Sequence, residues 1–289
     1  MRYEWIHSQK EAFVVSVMCS ILQVSRSGYY AYVERLRNPQ TDQEAFLIES
    51  VKRIHQEMDE SYGSRRMSQQ LQAEGYEVGR EKAKTLMNKA GIQVKTKKKF
   101  KVTTHSQHPY PVAPNLLNQE FEVDRPNAVW VGDITYLWTA EGWLYLAVVL
   151  DLFSRRIVGW AMESRMTSDL VESALNMAVN RRNPPDGLLY HSDRGSQYAS
   201  HRYQKLLKKY QMIPSMSGTG NCYDNAVCER FFRSLKHERT EYKLYLTRRQ
   251  ARMDVIQYIE WFYNSKRLHS TLDYKAPILF ELERAANAA

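Results

Sequence analysis

The stretch AVWVGDITYLW, residues 128–138, alternates in side-chain character and is rich in Val, Ile, Thr, Trp and Tyr. That is the pattern of a strand with one face turned to a core. Residues 143–153 follow as a nearly continuous apolar run and 156–162 as a third strand. An amphipathic helix is expected over 168–182, a short strand over 187–191, a helix over 200–210, a strand over 213–216 and a helix from Asn225 onward. Three hairpin-linked strands followed by alternating helix and strand predict an α/β fold with a mixed sheet.

Upstream of this block the pattern is helical. Residues 12–22 form an apolar helix and Ser25 is placed to cap a helix over 26–37, a helix-turn-helix outline. A second outline begins after Tyr62-Gly63. Its two apolar stripes, Met67 and Leu71, then Val78, Ala83, Leu86 and Met87, break at Gly75 and close at Gly91. Arg80, Lys82, Lys84 and Lys89 decorate the second helix of that pair, the one that enters the major groove in a DNA-binding helix-turn-helix. Residues 93–127 lose periodicity and carry Pro109, Pro111, Pro114 and Pro126, which predicts a linker. A further helix is expected over 247–264, followed by a short Pro-bearing tail. The domain plan is therefore an N-terminal helical segment (1–60), a helix-turn-helix (61–92), a basic, Pro-rich linker (93–124), the mixed-sheet core (125–245) and a C-terminal helix with tail (246–289).

The 289 residues carry 41 Lys+Arg against 32 Asp+Glu, a formal charge of +9. Residues 65–101 hold eleven Lys or Arg and three Glu, so +8 of that excess sits in one segment that includes Lys97, Lys98 and Lys99. Charge concentrated in this way suits a polyanion, because each neutralised phosphate releases condensed counterions. The three cysteines, Cys19, Cys222 and Cys228, form no CxxC pair and leave one over, which argues against a disulfide scaffold or zinc finger. The longest apolar run, 143–150, is far short of the ~20 residues that span a bilayer. Glu4 and Glu11 precede the apolar stretch 12–22 and no small-residue cleavage site follows it, so it reads as a buried helix and not a secretion signal. A soluble, basic, intracellular protein is expected.

Three carboxylates occur where carboxylates are costly or exposed to ligand. Asp133 lies within a strand between apolar neighbours, where an ionised group needs a cation. Asp193 ends the strand LLYHSD, and the carboxyl ends of strands in open α/β sheets collect ligands. Glu229 falls in the helix whose buried side is Cys228, Phe231, Phe232 and Leu235, and it shares another side with Arg233 and Lys236. Asp193 and Glu229 are separated by 35 residues, as are Asp224 and Glu260. Asp224 begins a helix and is expected as an N-cap, so only the set Asp133, Asp193 and Glu229 combines strand-centre, strand-end and helix contexts. His191 suits either proton transfer or packing at a strand end. Ser192, Gln197, Asn225 and Arg230 are candidate contacts to phosphate or base.

The words VWVGDITYLWT (129–139), YHSDRGSQYAS (190–200), NCYDNAVCERFFRSLKHE (221–238) and YNSKRLHSTLDYKAP (263–277) resemble the OrfB-type transposases of the IS-three family, within the retroviral-integrase-like DDE superfamily. YGSRRMSQQL (62–71) with KAKTLMNKAGI (82–92), and FVVSVMCSILQVSRSGYYAY (13–32), are similar to the upstream segments of that family, so the resemblance covers most of residues 10–280. It implies an RNase H-like catalytic core at 125–245 with Asp133, Asp193 and Glu229 as the three catalytic acids, and Lys236 as a contact to the transposon end. Arg230, Arg233 and Asn225 join it as candidate DNA contacts. Such an oxygen-only set suits two Mg²⁺ or Mn²⁺ ions about 3.5–4 Å apart, Asp133 bridging both and each other acid completing one shell. Water would be the nucleophile for cleavage and a freed 3′-hydroxyl for joining, with no covalent protein–DNA intermediate. The resemblance further implies double-stranded DNA partners (terminal inverted repeats and target), a protein from an overlapping upstream frame that supplies a coiled coil, a homo-oligomer in the active complex, and a circular intermediate. Two other readings stay open: a non-catalytic DNA-binding regulator that keeps the fold, and an RNase H-like nuclease acting on RNA.

Overall fold

A computed structural model describes residues 1–37, 42–93, 109–218 and 222–287. Strands β1 (Val129–Thr139), β2 (Gly142–Asp151) and β3 (Ile157–Glu163) form an antiparallel meander, with Asp133 opposite Val148. Strands β4 (Leu189–Ser192) and β5 (Ile213–Met216) add to the free edge of β1 in parallel, giving the order β3-β2-β1-β4-β5. Parallel pairing requires a crossover, supplied by helix α7 (Ser168–Arg182) between β3 and β4 and by α8 (Ser196–Ala199) and α9 (His201–Lys209) between β4 and β5. Pro214 lies in β5, an edge strand, where its missing N–H is tolerated. Gly159 lets α7 approach closely: a Cβ there would lie 2.2 Å from the carbonyl oxygen of Ala174.

Alternation along β1 and β2 divides the core in two. Trp130, Ala147, Val149 and Tyr190 face α7 and α9. Val131, Leu146, Val148 and Leu150 face the other way, towards α10 (Ala226–Leu235) and α11 (Arg248–Gln257). This second core is contiguous with the buried residues of α4 (Asp42–Glu57), α5 (Ser64–Ala73) and α6 (Arg80–Lys89), among them Val51, Ile54, Met67, Leu71, Leu86 and Met87. The helical pair is thus packed on the sheet domain. Its attachment is also polar: Tyr62 donates to the carbonyl of Lys266 (3.3 Å) and accepts from the amide of Leu268 (3.0 Å). At the N-terminus, α1 (Arg2–Ser8), α2 (Val15–Ile21) and α3 (Arg26–Arg37) close a small separate core of Ile6, Met18, Cys19 and Tyr29.

Three features differ from the sequence reading. The described part of the expected linker, 109–124, is a strap held against the core: Leu117 is buried, and the amides of Leu116 and Leu117 donate to Ser215 Oγ at 2.9 and 3.3 Å. Asp224 is not an N-cap. It is buried and accepts from Asn115 (3.0 Å), Gln119 (2.9 Å) and the amide of Gly218 (2.7 Å), which ties the strap to the start of α10. The expected tail contains helix α12 (Pro277–Ala286), which starts with proline in its first turn, as an N1 proline favours. Glu281 of α12 pairs with Arg156 (2.8 Å) and Arg182 (2.9 Å).

Candidate active site

Asp133 sits in the middle of β1 and is half-buried, with Oδ1 accepting from the amide of Ile134 at 2.7 Å. The parallel register pairs Gly132 with Ser192, so Asp133 and Asp193 are the next residues along two adjacent strands, which run about 4.8 Å apart. Asp193 Oδ1 accepts from the amide of Gly195 at 2.9 Å, which fixes the carboxylate at the strand's end. Helix α10 is pinned over β1 by two contacts to its backbone: Asn225 Nδ2 donates to Gly132 O (3.2 Å), and Cys228 Sγ to Val131 O (3.6 Å). Those anchors place Glu229 on the same side of the sheet as Asp133.

Asp133 is the acid on which burial and the other two carboxylates act together. Burial, and then the negative charges of Asp193 and Glu229, push the Asp133 carboxyl well above the ordinary carboxylate range, against the opposing effects of the Ile134 amide and Lys236. Burial raises Glu229 as well, with Arg233 opposing it. Burial lowers the Lys236 ammonium, which Asp133 partly restores, and its Nζ stands 5.1 Å from the centre of the Tyr136 ring. Acids that repel one another and offer only oxygens fit a hard divalent cation, whose charge removes the repulsion. Among the described residues no three His, Cys, Asp or Glu side chains are drawn up tightly enough to enclose a single ion.

The remaining candidates fall into three groups. His191, Ser192 and Asn225 are buried. His191 lies between Ser215 Oγ (2.9 Å) and Ser217 Oγ (3.2 Å), and burial lowers its pKa to about 4, so it packs β4 against β5 as a neutral ring. Ser192 Oγ donates to Asp193 O at 3.0 Å, and Gln197 donates to the carbonyl of Met166 at 3.2 Å. Arg230 and Arg233 on α10, and Arg80, Lys82 and Lys84 on α6, are exposed. Lys97, Lys98 and Lys99 lie outside the described residues. Sequence reasoning did not single out Gly132. A Cβ there would lie 2.1 Å from the Tyr190 hydroxyl, so a side chain at 132 would have to push aside the buried Tyr190 ring, which projects from β4 just before Asp193. A glycine next to an acid inside a strand was the available signal.

Family models for an integrase core domain match residues 123–222 and, in a second form, 210–277, and an HTH-like domain matches residues 41–100. The uncharacterized 31 kDa protein of insertion element IS600 from Shigella sonnei is 43% identical over 263 residues, 91% of this chain and 97% of the relative. The transposase InsF of insertion sequence IS3A from Escherichia coli is 39% identical over 292 residues, 99% of this chain and 100% of the relative. The chain belongs to the InsF transposase family. As an InsF-family chain it is a DDE-type DNA transposase with an RNase H-like integrase core and a helix-turn-helix-like DNA-binding segment. Among solved structures, the HTLV-2 integrase catalytic core in complex with magnesium aligns at a TM-score of 0.43 and 21% identity, over 54% of this chain and 97% of that one. Among the described residues of this InsF-family chain, no helix is long and apolar enough to cross a membrane.

Proposed function

We propose that Asp133, Asp193 and Glu229 are the catalytic carboxylates for Mg²⁺- or Mn²⁺-dependent cleavage and joining of insertion-sequence ends. The observation that supports this reading most is the parallel register that brings Asp133 and Asp193 to adjacent positions of β1 and β4, with α10, which carries Glu229, pinned over β1 by Asn225 and Cys228. The three carboxylates would hold two divalent ions. When bound, these supply Lewis acidity for in-line displacement at phosphorus. Lys236 stands beside Asp133, where it pairs with phosphate on an incoming strand and offsets the local negative charge. Asn225 and Cys228 act through the backbone of β1, holding α10 so that Glu229 stays over the sheet.

The helix pair 61–92 would present Arg80, Lys82 and Lys84 on α6 to the terminal inverted repeat, with the core (125–245) receiving the scissile end. A partner from an upstream frame, assembly with further copies of this chain, and residence on the bacterial nucleoid complete the proposal. The test replaces Asp133 with Asn, Asp193 with Asn and Glu229 with Gln, one at a time. Mg²⁺-dependent nicking and joining of end-containing DNA is then assayed with the upstream frame supplied. Each variant is expected to lose both steps, and full activity in any one removes that residue from the site.

A further inference from the structure

Beside α10, along Ala226, Arg230, Arg233 and Ser234, is a cavity of about 500 Å³, bounded by the strap at Phe121, by Tyr263 and by the segment around His269. Its lining is strongly cationic: Arg66, Arg155, Arg230, Arg233 and Arg267 against one acid, Glu238. That acid is already satisfied. It accepts from Arg267 Nε (2.8 Å) and Nη2 (2.6 Å), Arg66 Nη1 (3.3 Å) and the Tyr258 hydroxyl (2.8 Å). The cationic excess is therefore left for something else.

Arg155 is the informative member. Its backbone lies in the left-handed region (φ 60°), a conformation that costs a non-glycine residue on the order of 1 kcal/mol. Its Nη2 donates to the carbonyl of Phe121 at 2.9 Å, while Nη1 is buried with no hydrogen-bond partner among the described residues. Buried guanidinium nitrogens are almost always paired, so an orphan at the wall of a cationic cavity marks a missing acceptor. The acids acting on Arg155, Asp151 and Glu122, do not offset its burial, and Arg230 adds to the excess positive charge. His269 is held neutral by burial and by Arg267, Arg66 and Arg155. At the rim, Arg233 lies one helical turn from Glu229 and its charge acts on that carboxylate, so the cavity mouth and the proposed active site flank the same exposed face of α10.

We propose that this cavity seats one backbone phosphate of the DNA strand that passes Glu229, with Arg155 as the inner donor and Arg230 and Arg233 at the rim. A helix is about 10 Å across, so the seated phosphate belongs to a nucleotide adjacent to or one removed from the scissile one. The assignment rests on the proposed active site for its direction along the strand, though the phosphate seat itself is tested without any chemistry.

The experiment uses the full chain carrying Asp133→Asn, so that DNA is bound and not cut, and measures binding of end-containing duplex by anisotropy across a salt series. Arg155→Gln is expected to weaken binding five- to tenfold, equally for end-containing and unrelated duplex, and to lower the log–log salt slope by about 0.9, the signature of one lost phosphate contact. Arg230→Gln, at an exposed position that does not threaten folding, should change the slope in the same direction. A duplex with a single neutral methylphosphonate stepped through three nucleotides either side of the cleavage point should bind less tightly at one position. At that position the Arg155→Gln protein should lose nothing further. An unchanged salt slope in both variants overturns the proposal, as does the absence of salt-sensitive binding in the parent protein. Inorganic phosphate supplies the remaining arm: saturable binding that Arg155→Gln abolishes, with DNA binding unaffected, assigns the cavity to a free anion and overturns the DNA seat. Loss of cleavage by Asp133→Asn in the otherwise unaltered protein reports on the active site alone.

Discussion

Glu238 and Asp133 are both carboxylates set into the same core, and their surroundings are opposite. Glu238 has four donors from Arg66, Arg267 and Tyr258, and the arginine charges hold its carboxyl below the ordinary range in spite of burial. Asp133 accepts from one backbone amide, faces two other acids, and is pushed up. A charge whose partners are all within the fold holds elements together, here α5, the turn after α10 and the C-terminal segment. In the proposed function, the charge whose repulsion is left standing is the one that meets a ligand. Asp151 falls between the two cases. It accepts from the amides of Asn127 (2.9 Å) and Phe153 (3.0 Å) and lies 3.4 Å from Arg182, yet burial still lifts its pKa to about 6.

The contrast is open to attack at both ends. Replacing Asp133 with Asn should reduce strand joining by about a thousandfold, on the order of 4 kcal/mol of transition-state stabilisation. The melting temperature should stay level or rise, because a repelling charge has gone; a product assay and a thermal melt on one preparation decide it, and a collapse of the fold would break the distinction. Replacing Glu238 with Ala should do the reverse, removing about 3 kcal/mol of stability because the buried Arg267 and the half-buried Arg66 lose their carboxylate. The readout is the urea midpoint at constant m-value, and a neutral result would show that the network is dispensable.

Saturating Mg²⁺ or Mn²⁺, at about 100 times its dissociation constant, should stabilise the native chain by about 2.7 kcal/mol. This gain should disappear in Asp133→Asn and survive in a Glu238→Gln protein that still folds. Calorimetric melts with and without chelator measure it. An effect of similar size, confined to acid pH, concerns Asp151. With a folded pKa of about 6 against 3.8 unfolded, the native state keeps a proton that the unfolded chain releases. Its contribution, on the order of 3 kcal/mol, is therefore present below about pH 4 and lost as the pH rises from there through 6. Denaturation midpoints of Asp151→Asn from pH 4 to 7 should lack that downward slope.

The meander and its crossover helix were legible from pattern alone. Helix α7 begins and ends where its periodicity does, and β1 follows the alternation of 129–138, because each has one face in a core and one face out of it. The strap was not legible. Prolines remove its periodicity, and what holds it is a set of hydrogen bonds from Asn115 and Gln119 to Asp224, about a hundred residues away. The same long-range bonding turned an apparent helix cap into a cross-tie. For the site, the local context of each acid could be read, but the pinning of α10 by Asn225 and Cys228 to the backbone of β1 could not. It depends on carbonyls that carry no side-chain signature. Helix α12 had its signal, a proline at the first position, in a stretch too short for a periodic pattern to stand out.

The Tyr62 hydroxyl, lodged between Lys266 and Leu268, has a consequence for measurement along the double helix. It helps lock the α5–α6 pair onto the body that carries the acids, so the span from the bases proposed to be read by α6 to the bond being broken is built into the polypeptide like a gauge. Each base pair added within that span displaces the bond by about 3.4 Å and turns it by roughly 35°. An insertion of a single pair would carry it out of reach, and a full turn of the duplex would restore its facing but not its distance.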